Sequence, residues 1–249
     1  MSAPTTHLTT TGPTTTLRDQ AFRALDAVVD PELDEPITDL EFVQSVEVDG
    51  DRVEVHLRLP TSFCAPNFAY LMASDSKDVL TALPWTGDVV VELDGHHDSD
   101  LINAGLAADA GYRGTFAHEA DDNLDDLRLT FQRKAHTAAM ERVLTRLLRA
   151  DPDRAEVDLR GVTLGDLPDD DTTAALLRRR AAIGLGDAAE LPVLVDHTGH
   201  AYPADEVPLR LRMARSTRIS IEGNAHFCRG LLRTRYPDST TPTPQENRT

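Results

Sequence analysis

The 249-residue sequence has little cysteine, and its only two cysteines, Cys64 and Cys228, are too few for a disulfide scaffold. It also lacks a run of about 20 apolar residues and a secretory signal pattern, so we expect a cytoplasmic protein that does not cross a membrane. Basic residues are scarce, because 25 Lys and Arg stand against 42 Asp and Glu, for a formal net charge of −17. Nucleic acids and anionic membrane surfaces attract basic proteins, so this charge argues against both as partners.

The two ends of the chain contain almost no large apolar residues. Residues 1–16 are rich in threonine, and residues 237–249 are polar and contain Pro242 and Pro244. Such segments bury too little surface to offset the entropy of ordering, which predicts a disordered tail at each end. The length between them suits one or two domains of about 100–200 residues each.

Residues 17–111 have the pattern of a small α+β domain. Thr16 followed by Asp19 is typical of a helix start, and Asp49-Gly50-Asp51 is a strong hairpin turn. Proline disfavours a helical residue before it, so Asp30-Pro31 ends the first helix. The predicted order is α-β-β-α-β: a helix from Leu17, strands at 37–48 and 52–59, a helix at 67–83 and a strand at 88–93.

Residues 115–236 are predicted to form a second, α-rich domain. The apolar spacing indicates long helices, and Gly184 with Gly186 ends one of them. The predicted elements are helices at 122–149, 171–183 and 224–235, with short strands at 191–195 and 217–221.

Cys64 is the first candidate functional residue. It follows a predicted strand directly and precedes a predicted helix, with Pro66 suited to the first helical turn. A thiol beside the positive end of a helix is favoured as thiolate, the form that binds metals and acts as a nucleophile. The alternative is that Cys64 is simply a small buried apolar residue.

Several motifs around Cys64 resemble the iron–sulfur (metal–sulfur) cluster assembly domain family. The resemblance covers about residues 17–105, and the family includes cluster-assembly factors and the accessory protein of the phenylacetate ring-oxidising system. Three features depart from the family pattern: Glu41 stands where a glycine is usual, Ala65 stands where a proline is usual, and the single tryptophan, Trp85, comes before the last strand instead of after it. The matching segments are Asp30-Pro31-Glu32, Ile37-Thr38-Asp39-Leu40, Val43, Val46-Glu47-Val48, Thr61, Cys64, Pro66 and Val89-Val90-Val91-Glu92-Leu93.

The resemblance implies a non-enzymatic maturation factor with Cys64 as a transient ligand of iron or an iron–sulfur cluster. Asp30 and Thr61 are then expected beside Cys64 as supporting residues. The alternative for Asp30 is a hydrogen-bond anchor, which is the more common role of an aspartate at a helix end. By analogy with the accessory protein, the client would be a metalloenzyme such as an oxygenase. The C-terminal half resembles no family and would select that client, and the acidic surface would suit a basic patch on it.

Cys228 is a second candidate ligand, although a core position is the more common role for a cysteine in a predicted helix. A two-iron cluster usually takes four thiolates, so one chain cannot supply a full set. A cluster would therefore be shared with the client or with a second copy in a homodimer. Nothing in the sequence brings the two cysteines together, and His96 with His97 is interpreted as polar loop surface.

Two other functions stay open from the sequence. One is a metal-free adaptor or chaperone-like subunit of an oxygenase system that keeps the domain without its metal chemistry. The weaker one is a cysteine-dependent enzyme, although the sequence contains no nucleophile signature and we assign no catalytic residue.

Overall fold

The structure is a computed structural model that describes residues 15–116 and 124–237. Most of each predicted tail, residues 1–14 and 238–249, lies outside the described residues. Within the described residues, no helix combines the length and the apolar character needed to cross a membrane.

The N-terminal part, residues 15–116, contains two small sheets and four helices. Its elements are α1 (Leu17–Ala24), β1 (Val29–Asp30), β2 (Glu35–Pro36), β3 (Val43–Asp49), β4 (Arg52–Arg58), α2 (Pro66–Thr81), β5 (Asp88–Asp94), α3 (Ser99–Ala107) and α4 (Gly111–Phe116). The larger sheet has the strand order β3-β4-β5, with β3 antiparallel and β5 parallel to β4. The predicted mixed α+β class is confirmed, and β1 pairs with β2 as a separate small ribbon.

Local sequence signals explain the start of α1 and the β3–β4 turn. Thr16 Oγ1 accepts a hydrogen bond from Asp19 N at 3.1 Å, and Thr16 N donates to Asp19 Oδ2 at 3.1 Å, which forms the predicted capping box. Gly50 joins β3 to β4 with a φ of 63°, a conformation in which glycine has no steric penalty. The predicted strand at 37–48 is wrong in its first part, because residues 37–41 form turns and the strand begins at Val43.

The C-terminal part is helical, as the sequence indicates. Its helices are α5 (Leu124–Ala150), α6 (Asp171–Ala182) and α7 (Val207–Arg235). The predicted strand at 191–195 is wrong, since this segment makes only isolated bridges, Thr163 to Pro192 and Val195 to Ala201. The predicted strand at 217–221 is also wrong, because these residues lie inside α7.

Packing against α5 explains why α7 is continuous through a β-branched stretch. Leu211 and Ala214 of α7 are buried in the core that α7 forms with α5. Arg215 and Arg218 both pair with Glu141 of α5, whose side chain is 1% exposed. Tertiary contacts of this kind override a local preference for strand.

The described residues contain two apolar cores, and α7 contributes to both. The first core lies around the β3-β4-β5 sheet and includes Ala225 and Leu232 from the C-terminal half of α7. The second core holds Leu211 and Ala214 from the N-terminal half of the same helix. The C-terminal half of α7 is therefore held against the N-terminal part, next to the loop that carries Cys64.

Candidate functional site

Cys64 lies in the loop between β4 and α2, at the edge of the sheet where β4 and β5 end. Its side chain is half-buried, and Ala65 and Pro66 follow it as the N-cap and first residue of α2. The sulfur lies 3.5 Å from Thr61 Oγ1, so the two side chains are neighbours at hydrogen-bond distance. Thr61 Oγ1 also accepts a hydrogen bond from Phe63 N at 3.2 Å, which helps to fix the turn before the cysteine.

His96 is part of this site, and interpreting it as polar surface was wrong. His96 is 6% exposed, and its Nε2 lies 2.8 Å from Cys64 O. Nδ1 accepts a hydrogen bond from Asp98 N at 3.1 Å, so Nε2 carries the proton and donates to the Cys64 carbonyl. His96 thereby holds the backbone of the cysteine loop in place.

The role of His96 could be inferred from the sequence only if the pairing of β4 with β5 were known. In the parallel β4–β5 register, Arg58 lies opposite Asp94. The loops that follow the two strands must therefore meet at one sheet edge, as the hydrogen bond from His97 N to Ser62 O at 2.8 Å confirms. No local feature of the sequence around His96 indicates this.

Asp30 is buried at the turn between β1 and β2. Its Oδ1 accepts hydrogen bonds from Glu32 N and Leu33 N, each at 2.9 Å. Burial raises the pKa of the Asp30 carboxyl to about 6, although these two N–H groups oppose the rise. Asp30 thus anchors the turn through its own backbone contacts.

Cys228 projects from α7 into the same region. Burial, with smaller contributions from the nearby Asp30, Cys64 and Glu32, raises the pKa of its thiol to about 11. Cys228 also packs, like Cys64, against the first core. The structure therefore brings into one neighbourhood two cysteines that no sequence pattern connects.

The donor set at this site is incomplete for a resident metal ion. Across residues 15–116 and 124–237, no three or more His, Cys, Asp or Glu side chains form a group that could hold a metal. What the site offers is two half-buried thiols in acidic surroundings, which would favour a cation over an anion.

Exposed aromatic side chains stand next to both cysteines. Phe63 is 81% exposed, and its ring lies 5.8 Å from that of His97, centroid to centroid. Phe227, beside Cys228, is 64% exposed. Aromatic residues are enriched in protein–protein interfaces relative to the rest of the protein surface.

Residues 18–93 match the family described as iron–sulfur cluster assembly protein. The resemblance that the sequence predicts is confirmed over this range, which contains Asp30, Thr61 and Cys64 but not Cys228. The match supports a general role in iron–sulfur cluster assembly. Neither the curated proteins nor the solved structures compared with the chain include a match.

Proposed function

We propose that this protein is a non-enzymatic maturation factor that assists the assembly or delivery of iron or an iron–sulfur cluster for a client metalloenzyme. The observation that carries the proposal is the family match over residues 18–93, with Cys64 of that segment half-buried at the sheet edge. In this role the metal is a cargo, bound transiently and passed on.

The chemistry at Cys64 follows from its neighbours. Its sulfur binds iron as the thiolate, and the Thr61 hydroxyl at 3.5 Å can donate a hydrogen bond to it. His96 fixes the Cys64 carbonyl, so the loop keeps its conformation when the cargo leaves. Because the side chain is only half-buried, a client's ligands can approach the bound metal from the open side.

We propose an oxygenase as the client, by analogy with the phenylacetate-system accessory protein that the N-terminal segment resembles. A net charge of −17 would complement a basic patch on such a client and speed their encounter. The C-terminal half, with its exposed Phe227, would supply contacts specific to that client.

Anaerobic reconstitution with ferrous iron and sulfide tests this function. We expect visible absorption in the wild type that Cys64→Ala loses, and transfer of iron from the wild type to the apo form of a candidate client oxygenase. His226→Ala, an exposed position on α7, is the control and should keep the absorption.

Two results would contradict the proposal. Uptake of no iron by the wild type, alone or with the apo-oxygenase, would favour the metal-free adaptor. Turnover of a substrate that Cys64→Ala abolishes, with no iron bound, would favour the cysteine-dependent enzyme.

A further inference from the structure

The face of α7 that carries Cys228 is directed at the N-terminal part of the chain. Residues three, four and seven positions from Cys228 lie on the same side of a helix. Ala225 and Leu232, at these spacings, are 1% and 2% exposed in the core that also contacts Cys64. Cys228 is half-buried between them.

Polar contacts before and after Cys228 connect this face of α7 to the turn between β1 and β2 and to the loop between β4 and α2. One turn before it, Asn224 Nδ2 donates to Glu32 Oε1 at 3.3 Å. Two turns after it, Arg235 donates to Ser62 Oγ at 2.8 Å and to Leu59 O at 3.0 Å. Arg229, the residue directly after Cys228, pairs with Glu35.

These contacts limit where the Cys228 thiol can lie. A helix rises 1.5 Å per residue, so Asn224 and Arg235 are about 6 and 10 Å along the axis from Cys228. Cys228 therefore lies on the stretch of α7 between the contact with Glu32 and the contact with Ser62. Asp30, Glu32 and Cys64 all raise the pKa of the Cys228 thiol, which agrees with that position.

We propose that Cys228 is a second thiolate ligand of the iron carried at Cys64, so that α7 completes a two-thiol site that the family segment alone does not contain. This inference rests on the proposed function, because it adds a ligand to the same cargo site. Residues 18–93 match the family, and Cys228 lies far outside them.

A pair of thiolates suits a carrier. One divalent iron binding to both sulfurs displaces one proton from each thiol, and the positive ion offsets the burial of two negative sulfurs. The remaining coordination positions are left for sulfide or for the client's ligands. Since a two-iron cluster usually takes four thiolates, the pair from one chain and a pair from the client, or from a second copy, would meet that number.

Cobalt(II) chloride, added anaerobically to the full-length protein, tests this inference, because the sulfur-to-cobalt charge-transfer absorption grows with the number of bound thiolates. We compare the wild type with Cys64→Ser, Cys228→Ser and His226→Ala. We expect Cys228→Ser to show about half the absorbance per cobalt and an affinity lower by at least about 10-fold, because losing only an outer partner of a ligand already costs about 10- to 100-fold. His226→Ala is exposed two residues away and should match the wild type.

A Cys228→Ser protein that equals the wild type in both readouts, while Cys64→Ser loses them, would overturn the second ligand and leave the proposed function standing. A wild type without thiolate absorption would overturn both. If circular dichroism shows that Cys228→Ser is unfolded, alkylation of the wild type by iodoacetamide decides instead. Cobalt should then protect both cysteine peptides in the mass spectrum, and protection of Cys64 alone would overturn the inference.

Discussion

His136 on α5 is only 1% exposed, and its Nε2 has no hydrogen-bond partner in the described part of the chain. Burial, with smaller contributions from Arg180 and His197, lowers the pKa of this imidazole to about 4. The folded protein therefore keeps His136 neutral at pH values where the unfolded chain protonates it.

We predict that His136 makes the protein less stable as the pH falls from about 6.5 towards 4. The pKa of His136 is lower in the folded state, so in this pH window the unfolded state binds a proton that the folded state does not. Binding this proton lowers the free energy of the unfolded state and so decreases the stability of the fold. From pH 7 to pH 5 the loss attributable to His136 is about 2 kcal/mol. Urea unfolding of the wild type and His136→Gln at the two pH values measures it, and equal pH dependence in both would refute the prediction.

Glu41 occupies a position at which the iron–sulfur cluster assembly family usually has a glycine. Its φ is 63°, in the left-handed region where a side chain is disfavoured and glycine is not. This geometry explains why a glycine is usual at this position. Here the Glu41 carbonyl accepts a hydrogen bond from Arg58 Nε at 3.3 Å, and its carboxylate lies 3.4 Å from Arg233 Nη2.

Among the elements, α7 has the largest effect on the site, because its end holds the cysteine loop. Arg235 donates hydrogen bonds to Leu59 O, Ser62 Oγ and Gly95 O, which belong to the loops after β4 and β5. A single guanidinium thereby joins the end of α7 to both loops that position Cys64.

We predict that Arg235→Ala loosens this sheet edge. Losing hydrogen bonds from one charged donor should cost about 1.5–3 kcal/mol of the free energy of unfolding. Amide hydrogen exchange should become faster in residues 59–64 and at the end of α7. Arg233→Ala is the matched control, because Arg233 is 69% exposed and an exposed pair is worth only about 0–1 kcal/mol. Unchanged exchange in residues 59–64 would argue against the anchoring role of Arg235.

At the scale of the whole molecule, the two apolar cores share one helix. Leu176 of α6 is fully buried in the second core, whereas the single tryptophan, Trp85, packs against the first. Because α7 belongs to both cores, we expect the described parts of the chain to unfold together in one cooperative transition.

Leu176→Ala tests this coupling. Removing a buried leucine should cost about 2–5 kcal/mol, and the transition followed by Trp85 fluorescence should shift as far as the one followed by circular dichroism. A tryptophan transition that stays at its wild-type position would instead show that the first core unfolds independently. Leu209→Ala, at a 49% exposed position of α7, is the control and should shift neither transition appreciably.

Predictions from the sequence succeeded where the signal is local. The Thr16 capping box and the turn at Gly50 depend on a few adjacent residues, and both are present in the structure. The helix after Cys64 follows from Pro66, which suits a first helical position. Prediction failed at residues 217–221, where β-branched residues favour a strand but contacts with α5 stabilise a helix.

The sequence by itself determined the mixed α+β class, the iron–sulfur cluster assembly resemblance and the place of Cys64 between a strand and a helix, because these depend on nearby residues. Only the tertiary structure decided that His96 supports the cysteine loop and that α7 brings Cys228 towards it. Both results depend on contacts between residues far apart in the chain. Strand pairing and core packing create such contacts, and no short segment of sequence encodes them.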